Sequence, residues 1–331
     1  MPMTTYGDVS PRVGIIAVSQ FLKHAEHPQV FNKLGQVERA PKNKGLAIKW
    51  RRFIPFNPIT TPLTEGVTPS SQKLAVEDVT ATLNQYGGWS EITDVIQDTH
   101  EDPILQGAMQ IHGQQAGESF ETLTYLTLRA GTNVVYANGS SRSEVNTKIS
   151  LGKLRSAVRA LNKNKCRKKT SILAPSVNYK TQAIEAAYIA VCHTDLEPDI
   201  RDLPGFVPVS QYGSRQPICP QEFGSVENVR FITTTIASPF ADAGGLNGDA
   251  VLSTSGTNAD VYPILIFGED AYGTVALKGR EAAEILVRNP GKPEKGNELG
   301  QTGSVGWKGW HVAARLNEAW LVRLEVAATL L

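Results

Sequence analysis

Residues Gly45–Pro55 (GLAIKWRRFIP) and Lys73–Tyr86 (KLAVEDVTATLNQY) read as two strands, and the segment between them, Phe56–Gln72 (FNPITTPLTEGVTPSSQ), is dense in Pro, Thr, Ser and Gly. In the first strand Leu46, Ile48 and Trp50 alternate with Ala47, Lys49 and Arg51, the period of two that sends successive side chains to opposite faces. Together they predict a long β-hairpin. A two-stranded ribbon by itself is marginal in water, so an arm of this length must lie on something. Where the rest of the chain does not cover it, a second copy does. The chain therefore reads as an assembling structural protein rather than an enzyme. Trp50, Arg51, Arg52 and Phe53 combine the aromatic and arginine types that dominate interface energetics. With Glu65 and Gly66 near the loop tip, they are the candidate subunit-interface residues.

The chain's 331 residues suffice for a sizeable core and two lobes. Lys and Arg number 33 against 32 Asp and Glu, a formal net charge of +1, which is not the strongly basic profile of a dedicated DNA-binding domain. A charge so near zero does not oppose self-association. Cys166, Cys192 and Cys219 are odd in number and far apart. That is neither a disulfide framework nor a zinc site, and buried thiols made in a reducing cytosol are expected. The opening MPMTTYGDVS is not a secretory signal. No run of about 18 apolar residues occurs, so no membrane partner is expected.

Residues 1–44 predict an extended arm with one short helix at Val13–Leu22. Asp102-Pro103 suits the cap and first position of a helix that runs to Ala130, about 40 Å at 1.5 Å per residue, and stops at Gly131. Gly107, Gly113 and Gly117 inside it each cost about 1 kcal/mol relative to Ala, which calls for a bend or a closely packed neighbour. Thr132–Tyr136 predicts a strand ended by the turn Asn138-Gly139. Ser150–Asn162 predicts an amphipathic helix, and Tyr188–His193, Val226–Thr233 and Tyr262–Phe267 predict strands. Residues 203–224, 238–260 and 289–306 read as long loops. At the end, Trp310–Leu316 and Trp320–Val326 alternate about Asn317-Glu318 and predict an antiparallel pair covered by the long helix.

A search for chemistry nominates no catalytic, cofactor-binding or metal-ligating residue, and no cofactor is expected. His24 and His27 lack further ligands. Cys192 and His193 sit next to each other on a strand, so their side chains diverge and cannot easily form a thiolate pair. His100-Glu101-Asp102 offsets a helix dipole. Gly244, Gly245 and Gly248 lack the Lys-Ser/Thr of a phosphate loop and predict a mobile surface loop. Lys163, Lys165, Arg167, Lys168 and Lys169 form the densest charge run. It reads as a solvated helix end, with contact to packaged nucleic acid as the competing reading.

Several stretches taken in order carry a resemblance. Thr5–Gly7 (TYG), Gly87-Gly88-Trp89, His100-Glu101-Asp102-Pro103, Arg129–Gly139 (RAGTNVVYANG), Tyr188–His193 (YIAVCH), Gly224–Phe231 (GSVENVRF) and Gly306–Val326 (GWKGWHVAARLNEAWLVRLEV) are similar to the coat proteins of N4-like phages. The order of parts resembles the tailed-bacteriophage major capsid protein. The resemblance implies an α+β chain in the Johnson fold. It would comprise an N-terminal arm (1–44), an E-loop hairpin (45–88), a peripheral domain (89–149 and 303–331) with a spine helix at about 102–130, and an axial domain (150–302).

By that resemblance the subunit assembles through hexamers and pentamers into an icosahedral shell around phage double-stranded DNA. Its partners would be further copies of itself, a portal, a separate scaffolding protein and, non-specifically, the packaged DNA. It would reside in the virion and, during assembly, in the host cytoplasm. The scaffolding segment that some members carry at the N-terminus has no counterpart here, so a separate scaffolding protein or an already mature form is expected. No residues match those that cross-link one lineage of the family. The rival readings are an encapsulin-type compartment enclosing proteins, a decoration subunit, and a cytosolic enzyme using Cys192 and His193.

Overall fold

The computed structural model describes residues 29–331 apart from 42, 44, 95–103, 174–180, 214, 249, 278–282, 292 and 294–296. The expected helix at Val13–Leu22, the His24/His27 pair, the helix start at Asp102-Pro103 and the acidic group before it lie outside the described residues.

In chain order the strands are β1 (Gln36–Ala40), β2 (Ala47–Phe53), β3 (Val76–Thr82), β4 (Asn84–Thr93), β5 (Val134–Tyr136), β6 (Lys169–Leu173), β7 (Thr181–Cys192), β8 (Phe206–Pro208), β9 (Glu222–Val226), β10 (Val229–Thr233), β11 (Tyr262–Phe267), β12 (Tyr272–Leu277), β13 (Glu284–Arg288), β14 (Thr302–Arg315) and β15 (Leu321–Val326). They form three sheets. One runs β1-β12-β14-β13, with β4 also on β14. The second runs β5-β15-β11-β7-β10-β9-β8, with β6 also on β7. The third is the β2-β3 ribbon alone.

Every residue of β11 (YPILIF) is buried, the mark of a strand covered on both faces. Ile264 and Ile266 share a core with Leu154 and Leu161 of the amphipathic helix Leu151–Lys163. Leu265 and Phe267 share another with Tyr125 and Leu128 of the long helix Ile104–Arg129. The large sheet therefore has one of the two longer helices against each face.

The long helix also reaches the smaller sheet. His112 Nε2 lies 2.8 Å from Ser90 Oγ on β4, and Trp307 Nε1 on β14 donates to Gln115 Oε1 at 2.9 Å. Phe120 meets the Trp307 ring edge-on at 5.6 Å and stacks on His311 at 5.1 Å. A Cβ at Gly309 would stand 2.5 Å from Phe120 Cζ, so only glycine admits this ring to the sheet. Gly113 and Gly117 are buried within the unbroken helix, which favours close packing over a bend. Gly107 has open space around it.

The strand pair expected at the C-terminus does not form. β14 pairs with β4 along its length, with β13 on its other side and with β12 near its end. β15 pairs antiparallel with β11 and parallel with β5. The turn between them carries the chain from one sheet to the other. Trp320, expected inside the last strand, ends the short 3-10 turn Glu318–Trp320 half-buried, its Nε1 donating to the Asn164 carbonyl. Period two reports which way side chains point, not which strand is the partner.

Nor is the charged side of β15 solvated. Glu325 is fully buried, accepting two bonds from Arg142 at 2.9 and 2.8 Å and facing Arg323 at 2.7 Å. Arg129 and Arg142 cover the Phe240 ring at 3.5 and 3.4 Å, each a cation–π contact.

The N-terminal segment is tied to the long helix by one buried carboxylate. Glu121 accepts the backbone N–H groups of Val30 and Phe31 (2.5 Å each) and Asn32 (3.3 Å). Tyr272 Oη donates to the Phe31 carbonyl, and Lys169 Nζ donates to that of Leu34. Burial pushes the Glu121 carboxyl up to about 7.

Two outcomes follow for the unassembled chain. Phe120→Ala lowers unfolding free energy by about 3–5 kcal/mol in urea titrations. For Glu121, whose folded pKa lies above the unfolded value, the folded state keeps a proton that the unfolded state has released. Its contribution is full below about pH 4.5 and is lost as pH rises through about 7. The stability of the wild type relative to Glu121→Gln therefore falls by a few kcal/mol between about pH 5 and about pH 8, read from denaturation midpoints.

Candidate assembly interface

β2 and β3 pair in register from Ala47↔Thr82 to Phe53↔Val76, as the alternating pattern requires. The strand expected at 73–86 divides at buried Leu83. Beyond it β4 leaves the ribbon and continues through Gly87-Gly88-Trp89 along β14. Thus the hairpin's root is built into the body while its outer part is not.

Trp50 belongs to the root. It packs with Ile48 against Ala40, Leu83 and Val275 and is only partly exposed. Arg51 makes a two-pronged contact with Asp78 (2.7 and 3.0 Å), and Arg52 pairs with Glu77 at 2.8 Å. Arg51 holds the Asp78 carboxyl down to about 2. Exposed cross-strand pairs of this kind contribute little to stability, so they chiefly set register. Phe53 is different, with 64% of its surface exposed.

From Arg51 to Asp78 every residue is exposed. Phe53, Ile54, Phe56, Ile59, Leu63, Val67, Leu74 and Val76 all lie there. Prolines at 55, 58, 62 and 69 deny the segment a ladder of its own. Its described order is the turn in which Val67 N donates to Thr64 O, with Gly66 at φ 77°. That left-handed value suits glycine, and Glu65 and Gly66 therefore form the outward corner. Between residues 54 and 75 only Glu65 and Lys73 are charged. Depletion of charge with retention of apolar side chains is the composition of an interface core.

A second exposed feature was not nominated from sequence. Leu286, Gly306 and Trp89 are cross-strand neighbours on β13, β14 and β4. Trp89 is 70% and Leu286 46% exposed, on the face opposite Ser90 and Trp307, which meet the helix. Tryptophan between a glycine pair and a serine was the available signal.

The basic run does not form one surface. Lys163, Lys165 and Arg167 are exposed, Lys168 Nζ lies 5.8 Å from the Tyr188 ring centre, and Lys169 turns inward to Leu34. Desolvation lowers Lys169 to about 8. The Gly244–Gly248 stretch is also not the free loop expected. Gly244 N donates to Ala259 O and Gly245 N to Val145 O, and a Cβ on Gly244 would collide with the Val145 carbonyl.

Cys192 is fully buried and burial raises its thiol pKa. The Nδ1 of His193 instead accepts the Asp195 N–H at 3.2 Å, and Asp195 accepts Tyr262 Oη at 2.8 Å. This caps a turn and leaves no thiolate–imidazole pair. Among the described residues no group of acidic, His or Cys side chains could hold a metal, and no helix is long and apolar enough to cross a membrane.

Residues 76–324 match a family model described as phage capsid protein. The chain belongs to the phage capsid protein family. The capsid of Ralstonia phage GP4 has the same fold, with a TM-score of 0.65 at 13% identity over 90% of this chain and 88% of that one. The head structure of Helicobacter pylori bacteriophage KHP40 gives 0.59 at 9% over 90% and 88%. The cyanophage Pam1 capsid gives 0.55 at 13% over 92% of both chains. A search of curated protein sequences finds no match. The architecture is the α+β Johnson fold of phage major capsid proteins, and the chain is a capsid shell protein.

Because every residue of the outer ribbon is exposed and none belongs to a core cluster of the described residues, it is expected to be dispensable for folding. Replacing residues 55–74 by Asn-Gly closes a two-residue turn on the bonded pair Ile54 N–Ala75 O. The melting temperature of the unassembled variant stays within about 2 °C of the wild type in calorimetry.

Proposed function

We propose that this protein is the major shell subunit of a phage head, polymerising through hexamers and pentamers into an icosahedral container for double-stranded DNA. The observation that carries this reading is the exposed ribbon from Arg51 to Asp78, whose outer part, residues 54–75, carries only Glu65 and Lys73 as charged residues. Its apolar side chains need a surface that the described residues do not provide. Laid on the next subunit in a ring, each ribbon makes a head-to-tail contact that closes by rotation. A contact of this obligate type buries about 2,000 Å² or more. Phe53, Glu65 and Gly66 meet the neighbour directly, while Trp50, Arg51 and Arg52 hold the ribbon's root and register.

In this reading 1–44 is the arm and 45–88 the E-loop. Residues 89–149 with 303–331 form the peripheral part, and 150–302 the axial part. β15 joins the last two, since it pairs with β5 on one side and β11 on the other. The role is structural and needs no turnover. Lys163, Lys165, Arg167 and Lys168 suit loose contact with packaged DNA, and Lys169 serves the fold. A separate scaffolding protein and a portal complete the partners, with assembly in the host cytoplasm and residence in the virion shell.

Electron microscopy of the purified protein at rising concentration tests the reading. Closed shells or ring capsomers are expected from the wild type, and particles from infected cells contain double-stranded DNA. The variant with 55–74 replaced stays folded and fails to close shells. A wild-type chain that remains monomeric at high concentration, or a shortened one that builds normal shells, overturns it.

A further inference from the structure

At the root of the hairpin two strand edges face a common gap. Among the described residues β1 pairs only with β12 and β2 only with β3. Between them lies a groove of about 450 Å³, lined by consecutive residues 38–41 and 47–51 with Val275. Successive strand residues point to opposite faces. A cavity that touches five in a row therefore follows the strand's edge and not one of its faces.

The phase of the ladder identifies the groups along that edge. Leu83 N donates to Leu46 O at one end, and Ile54 N donates to Ala75 O at the other. Bonded and non-bonded pairs alternate in an antiparallel ladder. Leu46, Ile48, Trp50, Arg52 and Ile54 thus use their backbone groups on β3. The N–H and C=O groups of Ala47, Lys49 and Arg51 point away from β3, along the free edge. Trp50 lines the same groove, and its enclosed indole N–H has no acceptor among the described residues. A buried donor without a partner costs about 1–3 kcal/mol.

We propose that this groove is a strand-addition site that receives an extended segment of a neighbouring copy. The inference rests on the assembly reading above and specifies one contact within it. An inserted strand supplies what the groove lacks: main-chain partners for Ala47, Lys49 and Arg51, and a carbonyl for the Trp50 indole. A polypeptide is the ligand because a row of alternating backbone donors and acceptors matches another strand. A second copy is the source because the edge runs directly into the uncovered ribbon at Arg51, so a subunit covering the ribbon arrives at the mouth of the groove.

Hydrogen exchange on the wild-type protein, unassembled and as particles, tests this. The amides of Ala47, Lys49 and Arg51 are expected to exchange at least about tenfold more slowly in particles. Lys49→Pro deletes an N–H that β3 does not use and is expected to raise the concentration for half-assembly about tenfold, or 1.4 kcal/mol. Lys49→Ala, which equally loses the ammonium beside Asp78, is expected to stay within about twofold. Particles in which the three amides exchange as fast as in the free chain overturn this inference alone, as does a Lys49→Pro chain assembling like the wild type. Should Lys49→Pro misfold, the wild-type exchange rates decide. A wild type that forms no particles overturns the assembly reading and this inference with it.

Discussion

An extended two-stranded ribbon has no interior. Side chains on either face of β2 and β3 meet water unless a second body is laid against them, and beyond Trp50 the described residues offer none. Burying one large aliphatic or aromatic side chain contributes about 1.5–3 kcal/mol. Several such residues on one ribbon amount to a strong driving force even after the entropy of association is subtracted. The same geometry makes the force directional. A ribbon anchored at one end can only reach outward, and in the proposed reading its acceptor lies on another copy, with the contact between unlike surfaces.

That reach is useful only if the root is stiff. The long helix bridges both large sheets, with Phe120 against β14 and Tyr125 and Leu128 against β11 and its neighbours. β14 in turn carries β4, the direct continuation of the ribbon. A load on the ribbon passes through β4 into β14 and then into the helix. Gly309 matters here because a Cβ at that point would collide with the Phe120 ring through which the helix meets the strand. Two buried carboxylates complete the frame. Glu121 secures the incoming segment and Glu325 the seam between Arg142 and β15. For Glu325, breaking a paired buried charge costs far more than the pair contributes in water, and for Glu121 the loss would leave three backbone N–H groups without their acceptor.

The hairpin, the long helix, the amphipathic helix and the β7, β10 and β11 core strands were legible because each has a strong period or an unbroken apolar run. What was illegible is partnership. The alternation in β14 and β15 is real, yet Arg323 and Glu325 face a buried ion network and not solvent, and the two strands belong to different sheets. Local pattern contains no information about a partner more than a hundred residues away. Lys169 shows the same limit: four neighbours of like charge suggested a surface, whereas tertiary packing turned this one inward to a backbone carbonyl. At the candidate interface, the exposed ribbon could be inferred from its lack of a core. The Trp89–Gly306–Leu286 row depends on strand register and could not be.

Charge placement bears on how copies meet. Arg51 with Asp78 and Arg52 with Glu77 are neutralised across the ribbon itself, and the loop beyond carries only Glu65 and Lys73. A neighbour laid on the ribbon would therefore meet arginines that are already paired, with Glu65 and Lys73 as the loop's remaining charges. Whole-chain neutrality, 33 basic against 32 acidic residues, extends the same economy, because copies packed edge to edge accumulate little repulsion. Association of this kind depends on apolar burial and backbone pairing more than on long-range attraction. Specificity then resides in shape and strand register, which the paired arginines hold in place before a neighbour arrives.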